Sequence, residues 1–299
     1  MRQKLGTMKT GKKNLSDFTT FTGCRYLSLE MATLNGRLSL KYTSEGGVPF
    51  SKKSQLRVLD LSNVDASVHT IEELLSSCYY LEKLSMNGLK LTLDMIKSIC
   101  IQNGKTLEVL TFTACPNLDY EMIYLIVKKC SNLIEVSLAE TNLPDYFINF
   151  FVNTITPNIE KLNFNSLFHL RDEHVKVLVN RCNKLSVLNL GVSCISNNSI
   201  DIIITKLKNS LEELCVYLCY VDCAKLLELR LMPKFRTLIY EDMSYEQLED
   251  LENFKKQLPH QLKKYKQNLC SSYDKIWNIK AKQLDLFQDS GRTYMGLPD

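Results

Sequence analysis

Residues 71–91 read IEELLSSCYYLEKLSMNGLKL, and two apolar periods meet within them. Ile71, Leu74, Leu75 and Cys78 recur at spacings of three and four, which marks one face of a helix. Leu81, Leu84 and Met86 then follow the pattern apolar-x-x-apolar-x-apolar, whose second half alternates as a short half-buried strand does. Outward from this stretch the strand pattern returns along the chain. It stands upstream at Leu56-Leu59-Leu61. Downstream it stands at Leu107-Leu110-Phe112, Leu133-Val136-Leu138, Ile159-Leu162-Phe164, Leu185-Leu188-Leu190, Leu211-Leu214-Val216 and Phe235-Leu238-Tyr240. From Leu56 onward the first positions are separated by 25, 26, 26, 26, 26, 26 and 24 residues. A period held this tightly across two thirds of a chain is an internal repeat of about 26 residues. A degenerate unit at Cys24-Leu27-Leu29 begins 32 residues before Leu56, and a Gly46-Gly47 turn lies between them.

The helical pattern repeats in phase with the strands, at Ile123, Ile126, Val127 and Cys130 and again at Val175, Leu178, Val179 and Cys182. One strand and one helix cannot bury their apolar faces alone, so the units must stack. Stacking gives a parallel inner sheet and an outer layer of helices. Helices are wider than strands, so the stack bends into a horseshoe arc with the sheet on its concave side. The fold class is therefore an α/β solenoid. The expected divisions are a basic, disordered N-terminus (1–23), the repeats (24–241), a C-terminal cap (242–268) and an extended tail (269–299). Leu248, Leu251, Phe254 and Leu258 share the face of the capping helix, and Lys255, Lys256, Lys263, Lys264 and Lys266 lie on its wet side.

Composition narrows the function. The 299 residues carry 37 Lys and Arg against 33 Asp and Glu, a net charge of +4. So mild a balance argues against a dedicated nucleic-acid binder. No apolar run approaches the roughly 18 residues of a membrane helix. Met1 to Thr20 is polar and basic, unlike a secretory signal. The eleven cysteines are odd in number and contain no Cys-x-x-Cys pair. Cys215, Cys219 and Cys223 are spaced four apart with no His nearby, a poor zinc pattern, so small buried thiols are expected and no metal site.

Side chains flanking the buried anchors face the concave side. Lys83, Asn87, Glu135, Lys161, Asn163, Asn165, Asn189, Glu213, Tyr217 and Glu241 are the candidate partner-binding set. They are polar groups and single charges, with no His and no glycine-rich phosphate loop. Such a surface suits hydrogen bonding to another protein. Cys215 is the only cysteine expected there, and no base is expected within its reach. Of His69, His169, His174 and His260, only His174 falls on a core-lining helix position. No catalytic residue, metal ligand or cofactor site is expected.

The repeat resembles the cysteine-containing class of leucine-rich repeats, because Cys78, Cys130 and Cys182 each stand three residues before a strand's first anchor. Leu59-Asp60-Leu61-Ser62-Asn63, the stretch Ile71 to Leu84 and Asn87-Gly88-Leu89-Lys90-Leu91 are similar to the S-phase-kinase-associated branch of the F-box/leucine-rich-repeat family. So are Leu258-Pro259-His260 and the late Lys275-Ile276-Trp277-Asn278-Ile279-Lys280. The resemblance covers roughly residues 24 to 282. It implies a protein-recognition module, the substrate-binding part of an SCF-type cullin-RING ubiquitin ligase acting in nucleus or cytoplasm in ubiquitin-dependent protein catabolism. It also implies a small cyclin-kinase-subunit adaptor as a partner. Family members carry an F-box before the repeats, and it docks the kinase-associated adaptor. Here 23 residues precede the first unit, with Lys4, Lys9, Lys12 and Lys13 and few apolar positions among them. The expectation is a substrate-reading part that lacks the F-box and does not dock the adaptor. The alternative is a stand-alone repeat scaffold or inhibitor unconnected with ubiquitin.

In the family the tail folds back along the concave face, and Ile276, Trp277 and Ile279 are the expected docking residues here. Trp277 is the only tryptophan, so its fluorescence reports on the tail directly. Native emission should be blue-shifted and protected from quenchers. It should revert below the main unfolding transition, because the docked tail holds few contacts. Emission like that of free tryptophan in native buffer contradicts docking.

Overall fold

The computed structural model describes residues 26–28, 57–64 and 66–240. Among the described residues nine strands form one parallel sheet in sequence order. They are β1 (Tyr26–Ser28), β2 (Val58–Asp60), β3 (Lys83–Ser85), β4 (Val109–Thr111), β5 (Glu135–Ser137), β6 (Lys161–Asn163), β7 (Val187–Asn189), β8 (Glu213–Cys215) and β9 (Thr237–Ile239). Between them lie α1 (Val68–Ser76), α2 (Leu93–Asn103), α3 (Tyr120–Lys129), α4 (Asp145–Thr154), α5 (Asp172–Arg181), α6 (Asn197–Leu207) and the short α7 (Cys223–Leu226), which runs into a 3-10 turn at Leu227–Leu231. No helix among the described residues is long and apolar enough to cross a membrane. The expected N-terminus, cap and tail lie outside the described residues, with Glu241, Ile276, Trp277 and Ile279.

The register is set by the anchors. Leu59, Leu84, Leu110, Val136, Leu162, Leu188, Leu214 and Leu238 are partners from strand to strand and form one continuous row. Every anchor of the pattern from Leu59 to Tyr240 is buried. A one-residue slip would turn the whole row to the open face, so burial fixes the pairing. From the helix side Ile71, Leu74, Leu75, Ile123, Ile126, Val175, Leu178 and Val179 close the core, while Val127 is half-buried. Phe151 of α4 meets Phe164 beyond β6 edge to face, with ring centroids 5.7 Å apart.

The three periodic cysteines are buried, but not on the helical face. Cys78 follows the end of α1, while Cys130 and Cys182 are the residues that end α3 and α5. There the backbone leaves helical geometry, and a small side chain fills the space before the next strand. Burial pushes the Cys182 thiol up to about 11. Cys100 and Cys130 touch across α2 and α3, with sulfurs 3.9 Å apart. Cys194 is the exposed thiol among the described cysteines.

Helix starts are capped in phase. Ser67, Thr92 and Asp119 each accept a hydrogen bond from a backbone N–H in the first turn of the helix that follows. Pro144 occupies the same place before α4 and offers no such acceptor. Each repeat from β2 to β8 then leaves the sheet through one residue with positive φ: Asn63, Gly88, Ala114, Glu140, Ser166, Val192 and Leu218, at 51° to 73°. Only Gly88 is suited to this conformation by its lack of a side chain. From Asn63 to Val192, each of these residues donates its N–H to a carbonyl of the next repeat, at 2.6–2.9 Å. The left-handed turn therefore extends the inter-repeat ladder one step beyond the strand.

Asn103 ends α2 and joins two repeats from inside. Its Oδ1 accepts the Leu81 N–H at 2.9 Å, and its Nδ2 donates to the Cys78 carbonyl at 2.8 Å. Its side chain is 1% exposed, so no water replaces those bonds. Replacement by Ala leaves a buried donor and a buried acceptor unpaired. Asn103→Ala should lower stability by about 2–4 kcal/mol in denaturant unfolding. A loss below about 0.5 kcal/mol, the usual range of surface changes, contradicts this role.

Candidate protein-binding surface

The open face of the sheet presents columns of side chains in register. The first column runs Val58, Lys83, Val109, Glu135, Lys161, Val187, Glu213 and Thr237. Lys83 and Glu213 are exposed, and no ion pair is formed by either among the described residues. Glu135 and Lys161 lie 3.6 Å apart and neutralise each other. The rim carries Glu82, Glu108, Glu160 and Glu212 just before their strands. Glu82 is held by Arg57 at 3.4 Å.

Deeper in the face the polar groups serve the chain itself. Asn87 spans three repeats: its Nδ2 donates to Ser62 Oγ at 3.1 Å, and its Oδ1 accepts the Thr113 N–H at 2.8 Å. Asn163 and Asn189 accept the N–H two residues on, from Asn165 and Gly191, at 3.1 and 3.0 Å. These are Asx turns that satisfy the backbone where the strand ends. Their Nδ2 groups have no partner among the described residues. Tyr217 is half-buried.

Two expectations for this face are corrected. Asn165 is 7% exposed and does not project into the open. Its amide lies against Gly191, where an added Cβ would stand 2.8 Å from Asn165 Oδ1. A glycine in the next repeat leaves room for the amide to fold down. Its Nδ2 donates to Ser166 Oγ, and Oδ1 is left without a partner. Cys215 is also buried, at 5% exposure, and burial pushes its thiol up to about 12, which leaves it protonated near neutral pH.

At the helix starts, α4, α5 and α6 are tied by a polar network. His174 is 2% exposed. Its Nδ1 accepts the Arg171 N–H at 3.1 Å, so Nε2 carries the proton and faces Asp145 Oδ1 at 3.5 Å. Burial lowers the His174 pKa against the opposing pull of Asp145 and Glu173. Asp145, Glu173 and His174 are spaced as metal ligands could be. Arg171 already stands between the two carboxylates, 3.9 Å from Asp145 and 4.0 Å from Glu173, and supplies the cation. Asp172 accepts from Ser196 N–H, Ser196 Oγ and Ser199 Oγ at the start of α6. His69 and His169 are exposed.

The outer face holds a feature that sequence reasoning missed. Tyr120, Tyr124 and Tyr146 are 42%, 41% and 62% exposed, and their rings join Phe147 and Phe150 in one cluster across α3 and α4. The signal was present: Tyr146 and Phe150 follow Tyr120 and Tyr124 by one repeat.

A parallel sheet with in-register columns and outer helices defines a leucine-rich-repeat protein. The family model for the SKP2 LRR domain matches residues 29–268, and the chain belongs to that family. Among solved structures, the crystal structure of the Rad7 and Elc1 complex in yeast is similar with a TM-score of 0.51 at 17% identity, covering 65% of this chain and 53% of that one. The TLR13–ssRNA13 complex gives a TM-score of 0.43 at 19% identity, covering 72% of this chain and 34% of that one. At 17% identity the likeness to the Rad7 and Elc1 complex is one of fold. The chain spans about half the length of the Rad7–Elc1 chain it matches.

The Asp172 network gives a pH signature. Burial raises the Asp172 pKa, but the hydrogen bonds from Ser196 and Ser199 outweigh it and hold the carboxyl below its ordinary 3.8. A depressed folded-state pKa contributes stability above the unfolded value and loses it as pH falls through the folded one. Asp172→Asn should therefore cost stability near neutrality, on the order of 1 kcal/mol. That gap to wild type should shrink as pH drops below 3.8. Unfolding curves from neutral to strongly acidic pH test this; a gap independent of pH contradicts it.

Proposed function

We propose that this chain recognises a protein partner on the open face of its sheet and presents it to a cullin-RING ubiquitin ligase. The observation that carries the reading is the open face itself: single charges and amide donors held in fixed columns on a backbone they do not need to move. Membership of the SKP2 leucine-rich-repeat family supports the link to ubiquitin. The chemistry is positional. A rigid sheet orders its side chains before the partner arrives, which lowers the entropy lost on binding. The partner's modification belongs to a separate enzyme. A second reading, a scaffold or inhibitor without ligase, uses the same face.

Asn189→Arg places a long cation in the middle of the face. Lys176→Glu changes an exposed residue of α5 and serves as control. Affinity capture from cells should retain a partner with wild type and the control and lose it with Asn189→Arg. If the variants retain the same partners, the open face is not the binding site. Depletion of the chain should then lengthen the lifetime of the partner so identified. An unchanged lifetime favours the scaffold reading.

A further inference from the structure

The first column of the open face is charged at both ends of its middle stretch, with opposite signs. Lys83 on β3 is exposed and unpaired among the described residues, and Glu213 on β8 is likewise. The charges between them, Glu135 and Lys161, cancel at 3.6 Å. The two remaining positions, Val109 and Val187, are half-buried apolar side chains. The column therefore reads cation, apolar, neutralised pair, apolar, anion.

We infer that the partner segment is extended and bipolar, with an acidic residue opposite Lys83 and a basic residue opposite Glu213. The inference rests on the reading of the open face as a protein-binding surface. Parallel strands lie ~4.8 Å apart, so the five steps from β3 to β8 span roughly 24 Å. An extended chain advances about 3.3 Å per residue, which places the two charges about seven residues apart. Small apolar side chains just inside each charge meet Val109 and Val187. The central pair needs no charge from the partner, and a charge there would have to break the Glu135–Lys161 contact. A segment with its charges exchanged sets like charges against both ends.

Selection of random displayed dodecapeptides on the intact chain tests this. Enriched peptides should carry an acidic and a basic residue six to eight positions apart, about the spacing above, always in the same order along the peptide. The contacts are solvent-exposed, so Lys83→Glu or Glu213→Lys alone should weaken binding roughly 2–5-fold, and less at high salt. The double reversal, Lys83→Glu with Glu213→Lys, should prefer the peptide with its two charges exchanged. Thermal melts confirm that each variant is folded. If Asn189→Arg abolishes peptide binding while charge reversals leave it unchanged, the bipolar inference is overturned and the binding face stands. If Asn189→Arg also has no effect, both fall. A selection that enriches peptides without the two charges, or none at all, also overturns the inference.

Discussion

No unit of this chain can stand without its neighbour. A strand of three residues offers too few hydrogen bonds to persist alone, and a helix of about ten residues is marginal in water. Contact between successive repeats supplies what each unit lacks. Leu59 to Leu238 form one apolar row because every strand takes the same register. Asn103 carries that contact inward, and the Asp172 network carries it along the helix starts. The open face depends on the same contact, since its columns line up only while the register holds.

The period, the buried anchors and the parallel sheet were all legible in the chain, because each is written as apolar spacing. The left-handed exits were not. They fall on Asn63, Gly88, Ala114, Glu140, Ser166, Val192 and Leu218, which share no side-chain property. From Asn63 to Val192 the conformation accompanies a bond to the next repeat, so the surrounding structure supports it and sequence has little need to encode it. Val192 shows this most clearly, since a β-branched residue disfavours positive φ. Asn165 departs from its expected place for a related reason. Alternation along one strand placed it in the open, but the decisive residue was Gly191, a full repeat away.

The surface differs from a catalytic site in how its polar groups are spent. A catalytic site gathers reactive groups at one point and leaves them poised. Here Asn87, Asn163 and Asn189 give their amide oxygens to the backbone, and Asn87 gives its Nδ2 donor to Ser62 Oγ as well, while the Nδ2 groups of Asn163 and Asn189 have no partner among the described residues. Cys215, at the end of β8, is buried and protonated. Charge is spread along the arc in isolated positions, and the one close pair in the column cancels itself. The polar groups of this face are therefore spread over several repeats and not gathered at one point.

The strictly sequential order of the nine strands has a mechanical side. Each junction in such an array can open with little regard to distant ones, so the arc can fray unit by unit. Any ligand seated across several columns touches several junctions at once. It can stay bound only while all of them are closed, and by mass action it holds them closed. A bound segment is therefore a splint. The grip on the partner and the cohesion of the arc become one quantity, and weakening a buried contact between repeats loosens the partner without touching it.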